Sequence, residues 1–166
     1  MAAANLEGGL TAWLALVEAH AAAVESVESD LVREAGLPLS WHEVLVRLSR
    51  AEDGAMRMQE LARSVLLSKS GLTRLADRME AAGLIERSAC ASDRRGTYAV
   101  ITPKGRKALA DATPSFLAAV DRHFAGHLDE AEIESVARSL RKVTHAVGAG
   151  QCEPADVIPA AADQPA

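Results

Sequence analysis

The sequence predicts a mainly α-helical protein that carries one small β-hairpin. Three observations support this fold class: apolar residues recur at steps of three and four near both ends, two short helical segments follow each other in the middle, and two β-rich segments flank a polar turn. Of the 166 residues 49% are hydrophobic but only 3% are aromatic, so one core built mainly from Ala, Leu and Val is expected.

A long helix is predicted at the start of the chain, ending near Gly36 and Pro38. Its apolar stripe needs a partner surface, and it consists of Leu6, Leu10, Trp13, Leu14, Val17, Val24 and Leu31. Ser40 and Glu43 have the spacing of a capping box, which predicts that a second helix begins there.

The middle of the chain predicts two short helices in tandem. Residues 58–65 suit the first, and Ser68 is a good N-cap for a second helix that runs to about Ala82. Gly83 is suited to end that helix, because glycine adopts the left-handed conformation of helix C-termini without strain.

A hairpin and two further helices complete the predicted elements. Residues 84–88 and 98–102 have β-rich character, and the turn between them is polar and basic. Thr102 followed by Pro103 predicts a helix start, with a kink at Pro114, and Asp129 begins a last amphipathic helix. The Ala/Pro-rich residues 148–166 are predicted to be a disordered tail.

The charge of the chain is distributed unevenly. The net charge is −5, yet residues 56–107 hold 11 Lys and Arg against 5 Asp and Glu, while the remainder is strongly acidic. Since electrostatic attraction to nucleic acid depends on local charge, this segment is a candidate nucleic-acid interface.

Tandem helices followed by a hairpin with a basic tip form the pattern of a winged helix-turn-helix, which binds double-stranded DNA. The second short helix is slim enough to enter the major groove, and its first turns present candidates for contact with base edges. Arg78, one turn further along, is better placed for a phosphate. The predicted contacts on this helix are Ser68, Lys69, Ser70, Thr73, Arg74 and Arg78.

The hairpin tip adds candidates for the minor groove. Arg94 and Arg95 carry the positive charge that a narrow minor groove attracts, and Asp93 is able to brace one of them through a charge-assisted hydrogen bond.

The same segments resemble the MarR family of transcriptional regulators. The resemblance lies in SKSGLTRL at residues 68–75, DRMEAAGL at 77–84, DRRG at 93–96 and ITPKG at 101–105. It implies a homodimer whose first and last helices interlock and which presents two recognition helices to a palindromic operator. It also implies that Arg94 or Arg95 reads the minor groove while Asp93 holds it. Gln59 departs from the Ser or Thr that such proteins commonly place there to cap the first short helix.

The pattern and the resemblance together predict four parts. Residues 1–36 form an N-terminal dimerisation helix, residues 39–102 the winged helix-turn-helix domain, residues 103–147 the C-terminal dimerisation helices, and residues 148–166 the tail. The expected function is that of a repressor released by a small-molecule effector.

The sequence offers candidates for two regulatory sites. The resemblance implies a small aromatic or phenolic effector, and Trp13, His20, Trp41 and His42 are candidates to line its pocket, although packing is the favoured explanation for each. Cys90 at the hairpin entrance is a candidate oxidant sensor if nearby arginines stabilise its thiolate, although a small filler residue is favoured there.

Other function classes find less support. We expect no enzyme activity, cofactor, metal site or membrane association, and we expect a cytoplasmic location. His123 and His127 have a spacing that can bind metal, but no further ligand completes a site. The alternatives kept open are a helical protein-interaction module without DNA binding, an activator, and a redox-sensing regulator that uses Cys90.

Overall fold

The computed structural model describes residues 2–65, 69–89 and 97–147. Over these ranges the chain is mainly helical with one small antiparallel sheet, as predicted. The helices are α1 (Ala2–Ala35), α2 (Leu39–Arg50), α3 (Met58–Ser64), α4 (Lys69–Ala81), α5 (Pro103–His123) and α6 (Glu130–Ala146), and the strands are β1 (Ala55–Arg57), β2 (Ile85–Ala89) and β3 (Thr97–Ile101). Short 3-10 helices span Glu52–Gly54 and Ala125–His127.

The sheet has three strands rather than the two of the predicted hairpin. β3 lies in the middle, pairing with β2 on one side and with β1 on the other, both antiparallel. In the β1 pair Met56 lies opposite Ala99. A three-residue strand is too short to show alternation in sequence, and its partner is more than 40 residues away, so local pattern does not reveal it.

The core lies where α2, α4 and the sheet meet the end of α1 and the middle of α5. Its most completely buried large side chains are Leu31, Leu45, Leu48, Leu61, Leu72, Met79 and Ile85. Residues 6–26 of α1 and all of α6 contribute no buried side chain among those described.

The predicted capping box at Ser40 and Glu43 is wrong. α2 begins at Leu39 after Pro38, and neither Ser40 nor Glu43 caps its N-terminus. Instead Glu28 of α1 accepts a hydrogen bond from the backbone N–H of Leu39 at 2.5 Å. A carboxylate from a neighbouring helix satisfies the free amide, which local sequence spacing cannot anticipate.

The predicted ends of α1 and α4 and the predicted starts of α5 and α6 agree with the structure. Gly36 and Gly83 adopt φ angles of 66° and 72° after α1 and α4. The side chain of Thr102 caps α5, and Asp129 with Glu132 forms a complete capping box at α6. α5 continues through Pro114 to His123.

A buried carboxylate fastens α1 to α5. Asp30 is only 5% exposed, and it contacts Arg122 Nη1 at 2.5 Å, His123 Nε2 at 2.8 Å and the guanidinium of Arg33. The hydrogen bond with His123 is the main reason that the pKa of Asp30 falls to about 2, with Arg33 and Arg122 adding to it against the opposing effect of burial.

Residues Leu6–Ala35 of α1 are long and apolar enough to cross a membrane if length and composition alone are considered. Most of that apolar surface is uncovered within the described chain, since Leu6, Leu10, Trp13, Leu14 and Val17 are all exposed. An exposed apolar stripe of this size is typical of an interaction surface.

Candidate nucleic-acid interface

α4 has one buried face and one exposed face. Leu72, Leu75, Ala76 and Met79 are each at most 4% exposed and fix the helix on the core. The opposite face is polar and exposed, and it consists of Ser70, Thr73, Arg74, Asp77 and Arg78. A rigidly seated helix with a polar outer face is the element that a major groove can accommodate.

The structure brings most of the predicted recognition residues to this outer face. Ser70, Thr73 and Arg74 lie in the first two turns, and Arg78 follows one turn later. Lys69 begins the helix, but its side chain is outside the described part of the structure. Ser68 also lies outside the described residues, so its predicted role as N-cap and DNA contact stays a prediction.

Arg74 and Arg78 form no ion pair with any other described residue. The side chains of both are exposed to solvent. An exposed guanidinium that is not engaged by a carboxylate keeps its donors available for a base edge or a phosphate oxygen.

Arg87 ties the sheet to the recognition helix. From β2 its guanidinium reaches Asp77 at 2.6 Å and Glu80 at 3.4 Å, and it donates a hydrogen bond to the backbone carbonyl of Thr73 at 3.1 Å. The backbone N–H of Arg87 also donates to Glu80 at 3.2 Å. These contacts set the position of α4 relative to the strand that leads to the predicted wing tip.

The same contacts change the charge of the helix surface. Asp77 and Glu80 would repel DNA phosphates, and Arg87 compensates both carboxylates. This role of Arg87 was not predicted from the sequence. The available signal was the pair of acidic residues at i and i+3 on an otherwise basic helix, but the sequence does not show which cation meets them.

The far end of α4 is held by the start of α5. The N–H of Gly83 donates to Glu80 O and that of Leu84 to Met79 O, a Schellman motif that closes the helix. The Thr102 hydroxyl donates to the carbonyl of Gly83 at 2.7 Å.

Two neighbours of Thr102 complete this junction. Lys104 Nζ donates to the carbonyl of Ala82 at 2.8 Å. Gly105 allows close packing, because a Cβ there would lie 2.1 Å from the carbonyl oxygen of Leu84. The Thr-Pro-Lys-Gly motif therefore holds the C-terminal end of α4 against the start of α5.

The predicted wing residues lie outside the described residues. β2 and β3 pair in register from Ile85 opposite Ile101 to Ala89 opposite Thr97. The predicted minor-groove contacts Arg94 and Arg95, the bracing Asp93 and the redox candidate Cys90 all belong to the connection between these strands, so their roles stay predictions.

The four candidate effector residues are not gathered at one place. Trp13 is 59% exposed on the uncovered face of α1, while Trp41 packs partly buried against the core. His42 is buried, with its ring stacked on Phe116 at a centroid distance of 4.3 Å. Burial lowers the pKa of His42 to about 4.

His20 lines a groove that lies between α1 and α2 and has a volume of about 630 Å³. Glu43 lies in the same groove, and burial raises its pKa. No cluster of three or more potential metal ligands occurs in the described parts of the chain.

Comparison with known proteins identifies this architecture. The sequence pattern of the MarR family matches residues 35–96, from the end of α1 through the predicted wing. AbsC, a MarR family transcriptional regulator from Streptomyces coelicolor, is 33% identical, with 85% of this chain and 95% of AbsC aligned at a TM-score of 0.76. The chain belongs to the MarR family. It is therefore a member of a family of transcriptional regulators, as the sequence motifs predicted.

Two further relatives extend the comparison. Sco3205, a MarR family regulator from Streptomyces coelicolor whose structure was solved in complex with DNA, is 28% identical over 82% of this chain and 86% of its own, with a TM-score of 0.77. The HTH-type transcriptional regulator MhqR of Bacillus subtilis (strain 168) is 33% identical over 90 residues. That alignment spans 54% of this chain and 61% of MhqR.

Proposed function

We propose that this MarR family protein acts in the cytoplasm as a homodimeric repressor that places α4 of each protomer in the major groove of a palindromic operator. The observation that carries this proposal is the outer face of α4, where Arg74 and Arg78 are exposed and free of ion pairs to described residues. The DNA complex of the related Sco3205 supports the same use of the fold.

The roles of the individual residues follow from position along the helix. Ser70, Thr73 and Arg74 belong to the N-terminal turns, which reach base edges when a recognition helix enters a groove. Arg78 is assigned to a phosphate, and Arg94 and Arg95 of the connection between β2 and β3 are assigned to the adjacent minor groove, with Asp93 bracing them. Promoter occupation would then exclude RNA polymerase.

Dimerisation is assigned to the parts of the chain that the core leaves uncovered. Residues 1–36 and 103–147 would join the two protomers, and residues 39–102 would bind DNA. A small aromatic or phenolic effector would release the dimer only if it binds the DNA-incompetent arrangement more tightly than the competent one.

The proposal is tested with purified protein and duplexes tiled across its own upstream intergenic DNA. Replacing a base-contacting Arg74 by Ala should weaken binding by about 1–3 kcal/mol, roughly five- to 150-fold. Replacing Arg94 and Arg95 together should weaken binding and lower its salt dependence, because fewer counterions are released. Fluorescence anisotropy at several salt concentrations measures both quantities.

Lys107→Ala is the matched control, since Lys107 is an exposed cation of α5 already paired with Asp111 at 2.7 Å. Equal losses in Arg74→Ala and Lys107→Ala would indicate nonspecific attraction rather than recognition by α4. Absence of any binding at low salt, to this DNA or to genomic fragments, would refute the proposed function.

A further inference from the structure

One face of α6 is basic and exposed. Arg138, Arg141 and Lys142 recur at steps of three and four, so they lie on one side of the helix, where they line a groove with His145 and one acid, Glu134. The three cations are exposed, and none forms an ion pair with another described residue. With one acid against three strong cations, this basic face keeps a net positive charge.

The basic face points away from the apolar stripe of the same helix. Ile133, Leu140 and Val143 form that stripe, and the turn of about 100° per residue places them on the side of α6 opposite Arg138. Under the proposed function the apolar stripe faces the other protomer. The basic face therefore remains open to a further partner in the dimer.

The chain continues from α6 with a segment of opposite charge. Residues 148–166, the tail, contain Glu153, Asp156 and Asp163 but no Lys, Arg or His. The tail follows the last turn of α6 directly and lies outside the described residues. An acidic segment is attracted to a basic surface, and the basic face of α6 is its neighbour along the chain.

The lengths allow the tail to reach the basic face. Measured back from the end of α6, Arg141 lies about 9 Å away and Arg138 about 14 Å away, at about 1.5 Å per helical residue. In the other direction Glu153 can extend about 20 Å from the end of α6 and Asp156 about 30 Å, at about 3.3 Å per residue. The tail is therefore long enough to turn back and place its first two acids beside the two arginines.

We propose that the acidic tail folds back onto the basic face of α6 in the same chain and competes with nucleic acid for it. Gly148 and Gly150 allow the reversal, since glycine adopts conformations that strain other residues. Exposed ion pairs are individually weak, but attachment to the same chain gives the tail an effective concentration on the order of millimolar. The tail then withholds the α6 cations from phosphates outside the operator, a role that rests on the proposed function.

DNA is the competing occupant of the basic face, because phosphates also bind arginine and lysine. The tail is favoured because every α6 carries one at a fixed distance along the chain. In addition, α6 contributes no residue to the core that seats α4, so the basic face is separate from the surface assigned to operator recognition.

Nuclear magnetic resonance with a nitroxide on the tail tests the contact in the absence of DNA. The nitroxide is attached to Ala160→Cys in a full chain whose natural cysteines are replaced by Cys90→Ser and Cys152→Ser. A docked tail should broaden the amide signals of residues 134–142 several-fold more than the tail of a second chain in which the acids are neutralised.

The neutralised tail carries Glu153→Gln, Asp156→Asn and Asp163→Asn, which keep the length of the tail but remove its charge. Because the connection to α6 is unchanged, this control measures the broadening that an undocked tail produces. Equal broadening in the two chains would overturn the inference. So would broadening that appears only when nitroxide-free, isotope-labelled chains are mixed with nitroxide-bearing chains, since the tail would then belong to the second copy.

Binding to a duplex that lacks the operator tests the competition. Neutralising the tail should raise the affinity for this duplex at least about fivefold at low salt, because the α6 cations then reach phosphates. The matched comparison makes the same change in a chain that carries Arg138→Gln, Arg141→Gln and Lys142→Gln, where the gain should disappear. A gain of the same size in both chains would reflect net charge alone and would overturn the inference.

The inference and the proposed function fail separately. Because the nitroxide measurement contains no DNA, a docked tail in a chain that binds no duplex would refute the proposed function and leave the contact established. Tight operator binding by a chain whose tail is undocked would refute the inference alone.

Discussion

His42 is a buried histidine whose surroundings determine its protonation state. In the sequence it is a candidate for an effector pocket, as is His20. In the fold it is 1% exposed, its ring stacks on Phe116, and its Nε2 has no hydrogen-bond partner among the described residues. Such a ring is stable there only while it is neutral, which is why its pKa falls.

Stability should therefore depend on pH through His42. Its pKa is about 4 in the folded chain against 6.5 for an exposed histidine. Between these values the unfolded chain binds a proton that the folded chain excludes, so stability is complete above about pH 6.5 and is lost as the pH falls towards 4. The loss is on the order of 3 kcal/mol.

Urea unfolding at fixed protein concentration between pH 4 and pH 7 measures this loss. His42→Phe keeps an aromatic ring beside Phe116 but cannot titrate, so its stability should vary less over this range. Asp30 does not interfere, because its lowered pKa makes its contribution disappear only below its ordinary value of 3.8. An unchanged pH profile in the variant would contradict the role given to His42.

The junction of α4, β2 and α5 is where single residues determine the position of whole elements. Arg87 joins β2 to α4, and Thr102, Lys104 and Gly105 join the end of α4 to α5. None of these residues lies on the outer face of α4. Under the proposed function they would affect DNA binding by fixing the helix that carries that face.

Loss of the Arg87 contacts should weaken DNA binding more than it weakens the fold. In Arg87→Ala the carboxylates of Asp77 and Glu80 become uncompensated beside the DNA, whereas these partly exposed ion pairs contribute only about 1 kcal/mol or less to folding. Operator affinity and thermal unfolding, measured on the same preparation, separate the two effects.

A second substitution makes this prediction specific. Removing the negative charge in Asp77→Asn, Arg87→Ala should restore part of the lost affinity, because one repulsive carboxylate is gone. If Arg87→Ala binds the operator as the natural chain does, the guanidinium has no positioning role for α4.

Gly105→Ala should destabilise the fold through a steric clash. The added Cβ would lie 2.1 Å from the carbonyl oxygen of Leu84, which belongs to the backbone and cannot rotate away. A cost of about 1–3 kcal/mol or more is expected in chemical unfolding.

Gly9→Ala is the control, because a Cβ at Gly9 meets nothing within 4 Å and alanine favours a helix. This variant should be as stable as the natural chain or more stable. Equal stability of Gly105→Ala and Gly9→Ala would show that α5 does not pack closely against the end of α4.

Local sequence patterns predicted the helices better than the contacts between them. Helix periodicity, Gly83, the Thr102–Pro103 start and the box at Asp129 are signals within a few residues, and the structure agrees with each. The strand β1, the cap on Leu39 from Glu28, and the Arg87 contacts all join segments that are distant in sequence. Spacing along the chain carries no information about such pairs, so they become apparent only in the folded structure.

The whole molecule divides into a packed centre and uncovered ends. The centre contains the core and α4, and the match to the MarR family covers most of it, from residue 35 to residue 96. The apolar faces of α1 and α6 are uncovered within the described residues, and the exposed face of α4 is available for DNA. A dimer would carry two such faces, which is the arrangement that a palindromic site requires.

Footprinting on the upstream duplex that binds most tightly tests this account most directly. Hydroxyl-radical cleavage should be suppressed at two half-sites related by a two-fold axis and centred about 10 base pairs or a multiple of that distance apart, and Arg74→Ala should remove both protections together. A single asymmetric footprint, or two protections that persist in Arg74→Ala, would contradict recognition by paired α4 helices.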